Sequence, residues 1–470
     1  MNTLLTISDE YKKWKELDNS SIFLNKFTGE WFTSTKKTEG LIRKLRAGLN
    51  IESLHELSPD DLASLKKLVE SGIVSAGDDS QRCEHSKERG QVTLVIIEAL
   101  NYCNLACTYC FEDVPTKGVK MSLETANSIV SSIAKLNLAK KFVVEFNGGE
   151  SFSNLKTLKH VVEGIKNSKI EEDHDISYGV TSNLTFLNEE IIDFLKEFNF
   201  SLSVSLDGSK QDHDKNRIFS TGRGSHEKVM NNIALLNKNA IEFSTVSVIS
   251  EPGQLTRSYN FLKILRVPYI SFAIRRHSNR KPLEDVDYAQ IADELFEAFH
   301  DSFLSFKSKA FAPKVLDAVI LIKNLISPHD PQYMCLRTPC GAGTNMITYD
   351  TLGDIYICQD LIKEKEFKIC NASAPSPQVM IDSNEVVQKL RSRSPGQNRG
   401  CENCDFQMFC QGGCYSTSYY ASDRQMSESF TQKTPHCEFY YRSFSNMLPF
   451  VAIEAKALPG YINSIPYIYS

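Results

Sequence analysis

Three cysteines lie close together in one short loop of the sequence, Cys103, Cys107 and Cys110, with the spacing CxxxCxxC directly after an apolar run. Thiolates at this spacing can surround one compact centre, and soft sulfur ligands favour iron–sulfur clusters, zinc or copper(I). A structural zinc site takes four ligands, whereas three thiolates on a four-iron cluster leave one iron open to a small molecule. The loop therefore predicts a cluster with an open iron, and a zinc knuckle or a set of buried thiols is the alternative.

A second group of cysteines occupies the last third of the chain: Cys335, Cys340, Cys358, Cys401, Cys404, Cys410, Cys414 and Cys437. Eight thiols can fully ligate two further four-iron clusters, and full ligation favours electron transfer over substrate activation. Paired zinc ribbons are the rival interpretation. The two remaining cysteines, Cys83 and Cys370, are isolated in the sequence, and we interpret both as incidental, including the pair that Cys83 makes with His85.

The first loop, with Tyr109 before its last cysteine, resembles the signature of the radical S-adenosylmethionine (SAM) superfamily. The second group resembles the SPASM pattern of cysteines found in a branch of that superfamily. The resemblance implies three 4Fe-4S clusters, with SAM bound at the open iron of the first. It also implies that an inner auxiliary cluster is held by Cys335, Cys340, Cys358 and Cys414, and an outer one by Cys401, Cys404, Cys410 and Cys437.

The elements that must position these groups follow from hydrophobic periodicity. From Thr93 onwards, β-branched runs alternate with helical segments, which predicts parallel strands joined by right-handed crossovers. The expected fold is α/β, a partial (β/α)6 TIM-like barrel, which is also the fold of the superfamily. The expected strands are at residues 93–100, 141–149, 176–183, 201–208, 243–250 and 269–276, and the expected helices are near 123–137, 154–167, 188–198, 225–238 and 254–265.

Candidate SAM-binding residues follow these strands, because function in such barrels gathers at the carboxyl ends of the strands. Gly148, Gly149 and Glu150 resemble the family's GGEP motif, with Ser151 in place of proline. The glycines would expose carbonyl groups to the SAM ammonium, and Glu150 would accept from it. Asn183 and Ser205 are suited to the ribose and methionyl groups, and simple capping roles are their alternative.

The segment from Asp207 to Ser225 resembles the corresponding barrel segment of peptide- and sulfatase-modifying members of the superfamily. Arg217 is a candidate partner for the SAM carboxylate. The alternative is an ion pair between Arg217 and Asp214 that fastens the loop. His213 is expected to be structural.

Five regions are expected along the chain. A small strand and winged-helix-like module covers residues 1–80, a linker 81–92, the barrel 93–310, a SPASM auxiliary-cluster domain 311–450, and a C-terminal tail 451–470. The first module contains a hairpin candidate at residues 22–34, which turns at Thr28, and amphipathic helices near 37–47 and 59–72. It resembles the peptide-recognition element of many maturases, which captures a leader peptide by strand addition. The strand with Phe23 and Asn25 is the expected docking edge, and a plain helical adaptor is the alternative.

Composition excludes several classes of function. The net charge of -5 offers no electrostatic reason to expect a nucleic-acid partner. No stretch of about 18 apolar residues is present, so no membrane association is expected. The first residues lack the basic start and apolar core of a signal peptide. We therefore expect a cytoplasmic protein.

By resemblance, the expected function is that of a radical SAM/SPASM oxidoreductase that uses a 5′-deoxyadenosyl radical to abstract hydrogen from a residue of a ribosomally made precursor peptide. A crosslink or an oxidation would result, and a donor such as flavodoxin or ferredoxin would supply the electron.

Two alternatives remain open, and the first is an anaerobic sulfatase-maturing enzyme that generates formylglycine. That family has an aspartate directly after the third ligand of its inner cluster, whereas Gln359 follows Cys358 here and Asp360 comes one residue later. On an extended segment this shift turns the candidate catalytic side chain to the opposite face, which disfavours this alternative. The second alternative is a non-catalytic iron–sulfur scaffold.

Overall fold

The computed structural model describes residues 4–76, 90–276, 286–329, 334–337 and 339–466. Cys83 and His85, interpreted as incidental, lie outside these ranges. The first range forms the N-terminal module, and its elements are β1 (Leu4–Ile7), β2 (Tyr11–Glu16), β3 (Ser20–Asn25), β4 (Trp31–Thr35), α1 (Glu39–Ala47), β5 (Leu49–Asn50), α2 (Pro59–Glu70) and β6 (Val74–Ala76). They form two antiparallel sheets, ordered β5-β1-β6 and β2-β3-β4.

Side chains alternate along a strand, and the central strand β3 has buried side chains on both faces of the β2-β3-β4 sheet. Phe23 on β3 belongs to a separate hydrophobic core of the module, together with Tyr11 and Phe32. The neighbouring Ile22 and Leu24 face the other way and join the main core of the molecule. The module therefore has its own core and still packs against the rest of the chain.

Two tryptophans fasten the module to the C-terminal part of the chain. The ring of Trp14 on β2 meets Phe406 edge-on, with a centroid distance of 5.3 Å. The indole nitrogen of Trp31 on β4 donates to the carbonyl oxygen of Leu325 over 2.7 Å. Buried tryptophan N–H groups need such a partner, so this contact is specific as well as apolar.

The predicted hairpin and both predicted helices of the module are present, as β3–β4, α1 and α2. The hairpin is nevertheless part of a three-stranded sheet in which β3 is the central strand. The expectation that the strand with Phe23 and Asn25 offers a free edge is therefore wrong. The charged strand YKKWKE of β2 gives no alternating pattern, which is why sequence periodicity did not reveal it.

All six predicted barrel strands and the predicted helices between them are confirmed. The elements are β7 (Val92–Glu98), α3 (Leu123–Ile133), β8 (Leu138–Asn147), α4 (Leu155–Lys166), α5 (Lys169–Asp173), β9 (Asp175–Ser182), α6 (Glu189–Glu197), β10 (Ser201–Ser205), α7 (Lys210–Asp214), α8 (His226–Lys238), β11 (Phe243–Ile249), α9 (Gln254–Ile264) and β12 (Tyr269–Ile274). The strands pair in parallel in the order β12-β11-β10-β9-β8-β7. Side-chain caps start the helices locally; the Ser122 hydroxyl, for example, accepts from the amide of Thr125 at α3.

The C-terminal part of the chain extends the same sheet. Its elements are α10 (Tyr288–Lys307), β13 (Lys314–Val315), α11 (Leu316–Ile326), β14 (Met346–Tyr349), β15 (Asp354–Tyr356), β16 (Lys368–Asn371), α12 (Pro377–Ser383), α13 (Glu385–Ser392), α14 (Gln407–Cys410), α15 (Tyr415–Ala421), α16 (Met426–Ser429), α17 (Cys437–Glu454) and α18 (Leu458–Ile462). Strand β13 pairs with β12, and β14 pairs in parallel with β7 before a β15–β16 meander. The cysteine-rich region thus shares one ten-stranded sheet with the barrel.

The last described residues are packed against the barrel side of the molecule. Tyr461 of α18 is fully buried, and its hydroxyl bonds the buried Ser302 of α10 over 2.8 Å. The ring of Phe450 on α17 packs edge-on against Phe299 and Phe303 of α10. Residues 451–466 therefore contribute to the core. None of the helices in the described ranges has the length and hydrophobicity needed to cross a bilayer.

Candidate active site

A cavity of about 450 Å³ opens at the carboxyl ends of the barrel strands. Parallel strands present all their carboxyl ends at one edge, so residues far apart in sequence meet there. The sequence-predicted residues that line this cavity are Cys103, Cys107, Tyr109, Cys110, Gly148, Gly149, Asn183, Ser205, Arg217, Cys335, Cys358 and Asp360. The whole first cysteine group, two cysteines of the second group and most of the strand-end candidates therefore share one space.

The loop with Cys103, Cys107 and Cys110 is held by main-chain bonds to a segment more than a hundred residues away. The amide of Ala106 donates to Ile218 O over 2.7 Å, and the amide of Thr108 donates to Asn216 O over 3.0 Å. None of these three thiols forms a disulfide, and all three line the cavity. Burial raises the pKa of Cys103 to about 12, as expected for a thiol with no positive partner at its sulfur.

Arg217 lies beneath this loop and pairs with Asp207. Its guanidinium nitrogen is 3.1 Å from the Asp207 carboxylate, and both side chains are buried. The Tyr109 hydroxyl donates to the same carboxylate, and Arg217 lies over the Tyr109 ring, 5.4 Å from its centroid. The alternative pairing of Arg217 with Asp214 is wrong, because Asp214 instead accepts from Lys210 and from a main-chain amide.

Gly148 and Gly149 end strand β8 with positive φ angles of 83° and 39°. A side chain at Gly149 would meet the carbonyl oxygen of Tyr102 at 1.8 Å, so the main chain passes directly over the cysteine loop. Only glycine allows this approach. Ser151, which replaces the proline of the family motif, begins a 3-10 turn at Ser151–Asn154.

The Glu150 carboxyl group is fully buried at the base of this turn. It accepts from the Ser182 hydroxyl over 2.8 Å and from the amides of Asn183 and Phe152 over 2.8 and 3.2 Å. Burial raises the pKa of Glu150 to about 7, although these hydrogen bonds counteract the rise. Its predicted contact with the SAM ammonium stays a prediction.

Asn183 connects the end of β9 to the cysteine loop. Its side-chain amide donates to the sulfur of Cys103 over 3.4 Å and to the Asn104 side chain over 3.0 Å. Ser205 at the end of β10 also faces the cavity. His213, expected to be structural, is buried, and its ring bonds the Ser225 hydroxyl over 2.9 Å. Burial lowers the pKa of His213 to about 2, so the ring stays neutral.

Members of the inner set that the resemblance implies influence one another electrostatically. The thiol of Cys335 donates to Cys414 and lowers the pKa of Cys414 to about 5. Burial raises the pKa of Cys358 well above its usual value, and the nearby Cys414 and Cys340 add to that rise. The assignment of these four thiols to one auxiliary cluster stays a prediction.

The outer set behaves in the same way. Burial raises the pKa of Cys401 to about 11, and the nearby Cys437 and Cys404 add to the rise. The pKa of Cys410 is raised by burial and by the nearby Cys437, Cys401 and Cys404. Cys370, interpreted as incidental, is buried in the core on β16.

In the described part of the chain, no three histidine, cysteine, aspartate or glutamate side chains converge tightly enough to hold one metal ion.

A family model described as the radical SAM superfamily matches residues 97–252. Over 365 residues the chain is 30% identical to an uncharacterized Synechocystis protein. This match covers 70% of this chain and 85% of the Synechocystis protein. The chain belongs to the radical SAM superfamily. A cysteine-type anaerobic sulfatase-maturating enzyme of Clostridium novyi is 26% identical over 340 residues, 69% of this chain and 87% of that protein.

The same fold is present in a solved structure of Streptococcus suis SuiB bound to precursor peptide SuiA. The TM-score is 0.55 at 14% identity, and the match covers 92% of this chain and 99% of that chain. The likeness supports the fold of this radical SAM enzyme.

Membership of the superfamily implies one 4Fe-4S cluster and SAM. The residues of the cavity fit both groups. The thiols of Cys103, Cys107 and Cys110 line one space, and the main chain at Gly149 passes close to the loop that carries them. SAM would lie between this loop and the strand ends, where main-chain and side-chain acceptors surround the cavity.

Asp360 lies on the opposite wall of the cavity, near the inner thiols. Its carboxylate accepts from the Ser416 hydroxyl over 2.8 Å and pairs with Arg276. Gln359 and Asp360 both line the cavity. The expectation that a one-residue shift turns Asp360 away is wrong, because Gln359–Leu361 form a 3-10 turn and not an extended strand.

Three charged residues of the cavity wall escaped the sequence analysis: Glu112, Glu145 and Arg276. Glu112 bonds the side chain of Gln359 over 2.8 Å and the amide of Gly149 over 3.2 Å, so it joins the SAM side to the inner-thiol side. Arg276 lies over the ring of Phe111, 5.4 Å from its centroid. A glutamate inside the apolar run Phe142–Phe146 of β8 was the available signal for Glu145.

Proposed function

We propose that this radical SAM enzyme is a SPASM-type maturase that abstracts hydrogen from a residue of a ribosomally made precursor peptide, leading to a crosslink or an oxidation. The single observation that carries this proposal is the shared cavity. The Cys103 loop forms one wall, and Cys335 and Cys358 of the inner thiol set form the other. A substrate residue between them would lie within reach of both.

The proposed roles follow from this arrangement. Cys103, Cys107 and Cys110 would hold the SAM-binding cluster, which supplies reductive cleavage of SAM when it is bound. Gly148, Gly149, Glu150, Asn183, Ser205 and Arg217 would orient SAM, with Tyr109 supporting Arg217 through their shared partner Asp207. The inner and outer thiol sets would hold two auxiliary 4Fe-4S clusters, which accept the electron that the substrate loses.

The protein partners of this reaction are a precursor peptide and an electron donor such as flavodoxin or ferredoxin, in the cytoplasm. The N-terminal module at residues 1–80 would capture the leader of the peptide, with 81–92 as linker, 93–310 as the barrel domain and 311–450 as the auxiliary-cluster domain. The separate core of the module supports an independent binding role. The SuiB structure contains its own precursor peptide, SuiA, and the structural match with SuiB extends over most of this chain.

Formylglycine formation in a sulfatase is the second candidate. The anaerobic sulfatase-maturating name of the Clostridium novyi relative and the position of Asp360 on the cavity wall favour it. Asp360 would accept the proton that the oxidised side chain releases. Its carboxylate forms an ion pair with Arg276.

The deciding experiment uses anaerobically reconstituted protein with dithionite and SAM. We expect release of 5′-deoxyadenosine, and a non-catalytic scaffold would release none. Mass spectrometry of two kinds of added substrate then separates the candidates: peptides encoded by short open reading frames next to this gene, and a sulfatase-derived peptide with a cysteine or serine. Modification of the sulfatase peptide alone would refute the first candidate.

A further inference from the structure

The walls of the cavity carry more carboxyl groups than cations among the described residues. Arg217 and Arg276 are its two arginines, and each pairs with its own aspartate, Asp207 and Asp360. These pairs neutralise one another at the two ends of the cavity. The cavity wall has two further carboxyl groups, Glu112 and Glu145, and they lie between these two pairs.

Glu145 is the main contributor to this surplus of carboxyl groups. It stands on β8, two residues before Asn147, and its side chain points into the barrel lumen. The Thr181 hydroxyl donates to one carboxylate oxygen over 3.3 Å. Within the described ranges no arginine or lysine forms an ion pair with Glu145. Burial raises the pKa of Glu145, which is the sign of a carboxyl group without a compensating cation.

Gly179 on β9 lies beside Glu145, and a Cβ atom there would be 3.7 Å from the Glu145 Cγ, an ordinary van der Waals distance. Asn147, Thr181 and Ser205 are polar residues of the cavity lining. The apolar residues of the lining include Ile96, Val246, Val248, Ala273, Ile274 and Met346. The valines lie on β11, three strands from β8 in the order of the sheet. The cavity thus combines an aliphatic wall with a carboxyl group deep in the lumen.

Glu112 is a second carboxyl group on the wall of the same cavity. It is fixed by Gln359 and by the amide of Gly149. Behind it, Glu98 is buried, and one of its oxygens has no hydrogen-bond partner among the described residues. Burial raises the pKa of these carboxyl groups, and a cation bound beside them would favour their charged form. In an enclosed, weakly polar space this attraction is stronger than it would be in water.

We propose that the cavity selects a substrate residue with an aliphatic chain that ends in a cation, as in lysine, and that Glu145 is the group that recognises the cation. The chain would pack on Val246, Val248 and Ile274, and its ammonium would bond Glu145. This inference rests on the proposed function, since it names the class of residue that the maturase receives.

The test compares two matched probes, N-acetyl-lysine methylamide and N-acetyl-norleucine methylamide, which differ in the terminal ammonium. Saturation-transfer NMR on reconstituted protein with SAM measures the binding of each. We expect the lysine probe to bind about tenfold or more tightly than the norleucine probe, as for a hydrogen bond to a charged group. Equal binding, or preference for norleucine, would overturn the proposal.

Variants then assign the selectivity to Glu145. Glu145→Gln should remove most of the lysine preference, and Thr181→Val, which keeps the charge but frees the carboxylate, should reduce it less. Glu227→Gln is the matched control, because Glu227 is exposed on α8. An unchanged preference in Glu145→Gln would refute the assignment.

SAM is the competing cation, so its affinity is measured in the same variants. We expect Glu145→Gln to bind SAM normally. Loss of SAM affinity with the lysine preference retained would mean that Glu145 serves SAM, which overturns the proposal. Release of 5′-deoxyadenosine with dithionite is recorded in parallel. Its absence would refute the proposed function, whereas probe binding is measured without any turnover, so the two failures are distinguishable.

Discussion

At the scale of single residues, the arrangement around Asp207 explains how a buried arginine is tolerated beside the cysteine loop. Asp207 is fully buried and contacts Arg217, the Tyr109 hydroxyl and the amide of Val248. A buried charge is stable only when its partner and its hydrogen bonds are all present. These contacts therefore stabilise the floor of the cavity beside the cysteine loop.

Replacing Asp207 by asparagine leaves the Arg217 cation buried without a counter-charge. We expect Asp207→Asn to lower the free energy of unfolding by about 3–5 kcal/mol, the usual cost of breaking a buried pair. Urea unfolding measures the change, with Asp193→Asn on the exposed side of α6 as the control. A loss below about 1 kcal/mol would contradict the assigned burial of this pair.

Glu150→Gln tests the proposed contact with the SAM ammonium. We expect SAM binding to weaken by about 1.5–3 kcal/mol, because a hydrogen bond to a charged group is lost. Iron content should stay the same, since Glu150 is not a thiol ligand. Equilibrium binding of SAM measures the effect, and the exposed Glu163→Gln on α4 is the control. Unchanged SAM affinity would mean that the Gly148–Glu150 segment is only a structural turn.

The pKa of Glu150, raised by burial to about 7, adds a pH test. Below this pH the carboxyl group is mostly protonated and attracts a cation weakly. SAM affinity should therefore rise by about tenfold between about pH 5.5 and about pH 7, as this group ionises. Glu150→Gln should bind SAM with little dependence on pH over the same range. The same pH dependence in both proteins would assign the titration to another group.

At the scale of elements, β4 is an outer strand of its sheet, whereas β3 is central. The amide of Asn25 donates to Glu30 O across the turn, so alternate residues of β4 face β3. In the register that pairs Ile22 with Thr33, the amide of Thr33 points away from β3. Strand β2, the other outer strand, carries three lysines and an irregularity at Lys13–Lys15, features that discourage strand addition.

Thr33→Pro should therefore impair leader capture without breaking the β3–β4 ladder. Proline removes one outward donor, and strand addition relies on main-chain hydrogen bonds. We expect the dissociation constant of the precursor peptide to rise at least tenfold, the equivalent of about 1.4 kcal/mol. Thr33→Ala keeps the amide and is the control. Fluorescence anisotropy with labelled peptide measures both, and equal affinities would refute docking on β4.

At the scale of the whole molecule, the barrel and the cysteine-rich region form one continuous structure. Strand β14 lies beside β7, and the main core includes residues from both regions and from β3. This continuity brings the first cysteine loop and the inner thiols to one cavity. The outer set packs near Phe406, on which Trp14 of the N-terminal module rests.

Three thiol sets predict about twelve irons in the reconstituted protein, if each holds one four-iron cluster. Changing Cys103, Cys107 and Cys110 together to alanine should remove about a third of the iron and all release of 5′-deoxyadenosine. Changing Cys401, Cys404, Cys410 and Cys437 should remove a similar share, while cleavage of SAM persists. Iron analysis and chromatography measure the two outcomes, and cleavage without the first set would refute the site.

The amino-acid sequence by itself determined the features that depend on short stretches of chain. Period-two apolar runs and helical segments predict the six barrel strands and their helices because local burial patterns reflect local geometry. The spacing of Cys103, Cys107 and Cys110 and the run Gly148–Glu150 indicated the chemistry for the same reason. Each of these signals lies within about ten residues.

The tertiary structure alone decided which distant groups meet. Arg217 pairs with Asp207 and not with its closer neighbour Asp214, because the α7 turn places Asp214 against Lys210. Asp360 faces the cavity because Cys358 is followed by a 3-10 turn. Glu145 becomes a lumen residue only when β8 is set between β7 and β9. Charge pairing and cavity shape depend on contacts between elements, and the local sequence pattern carries no information about them.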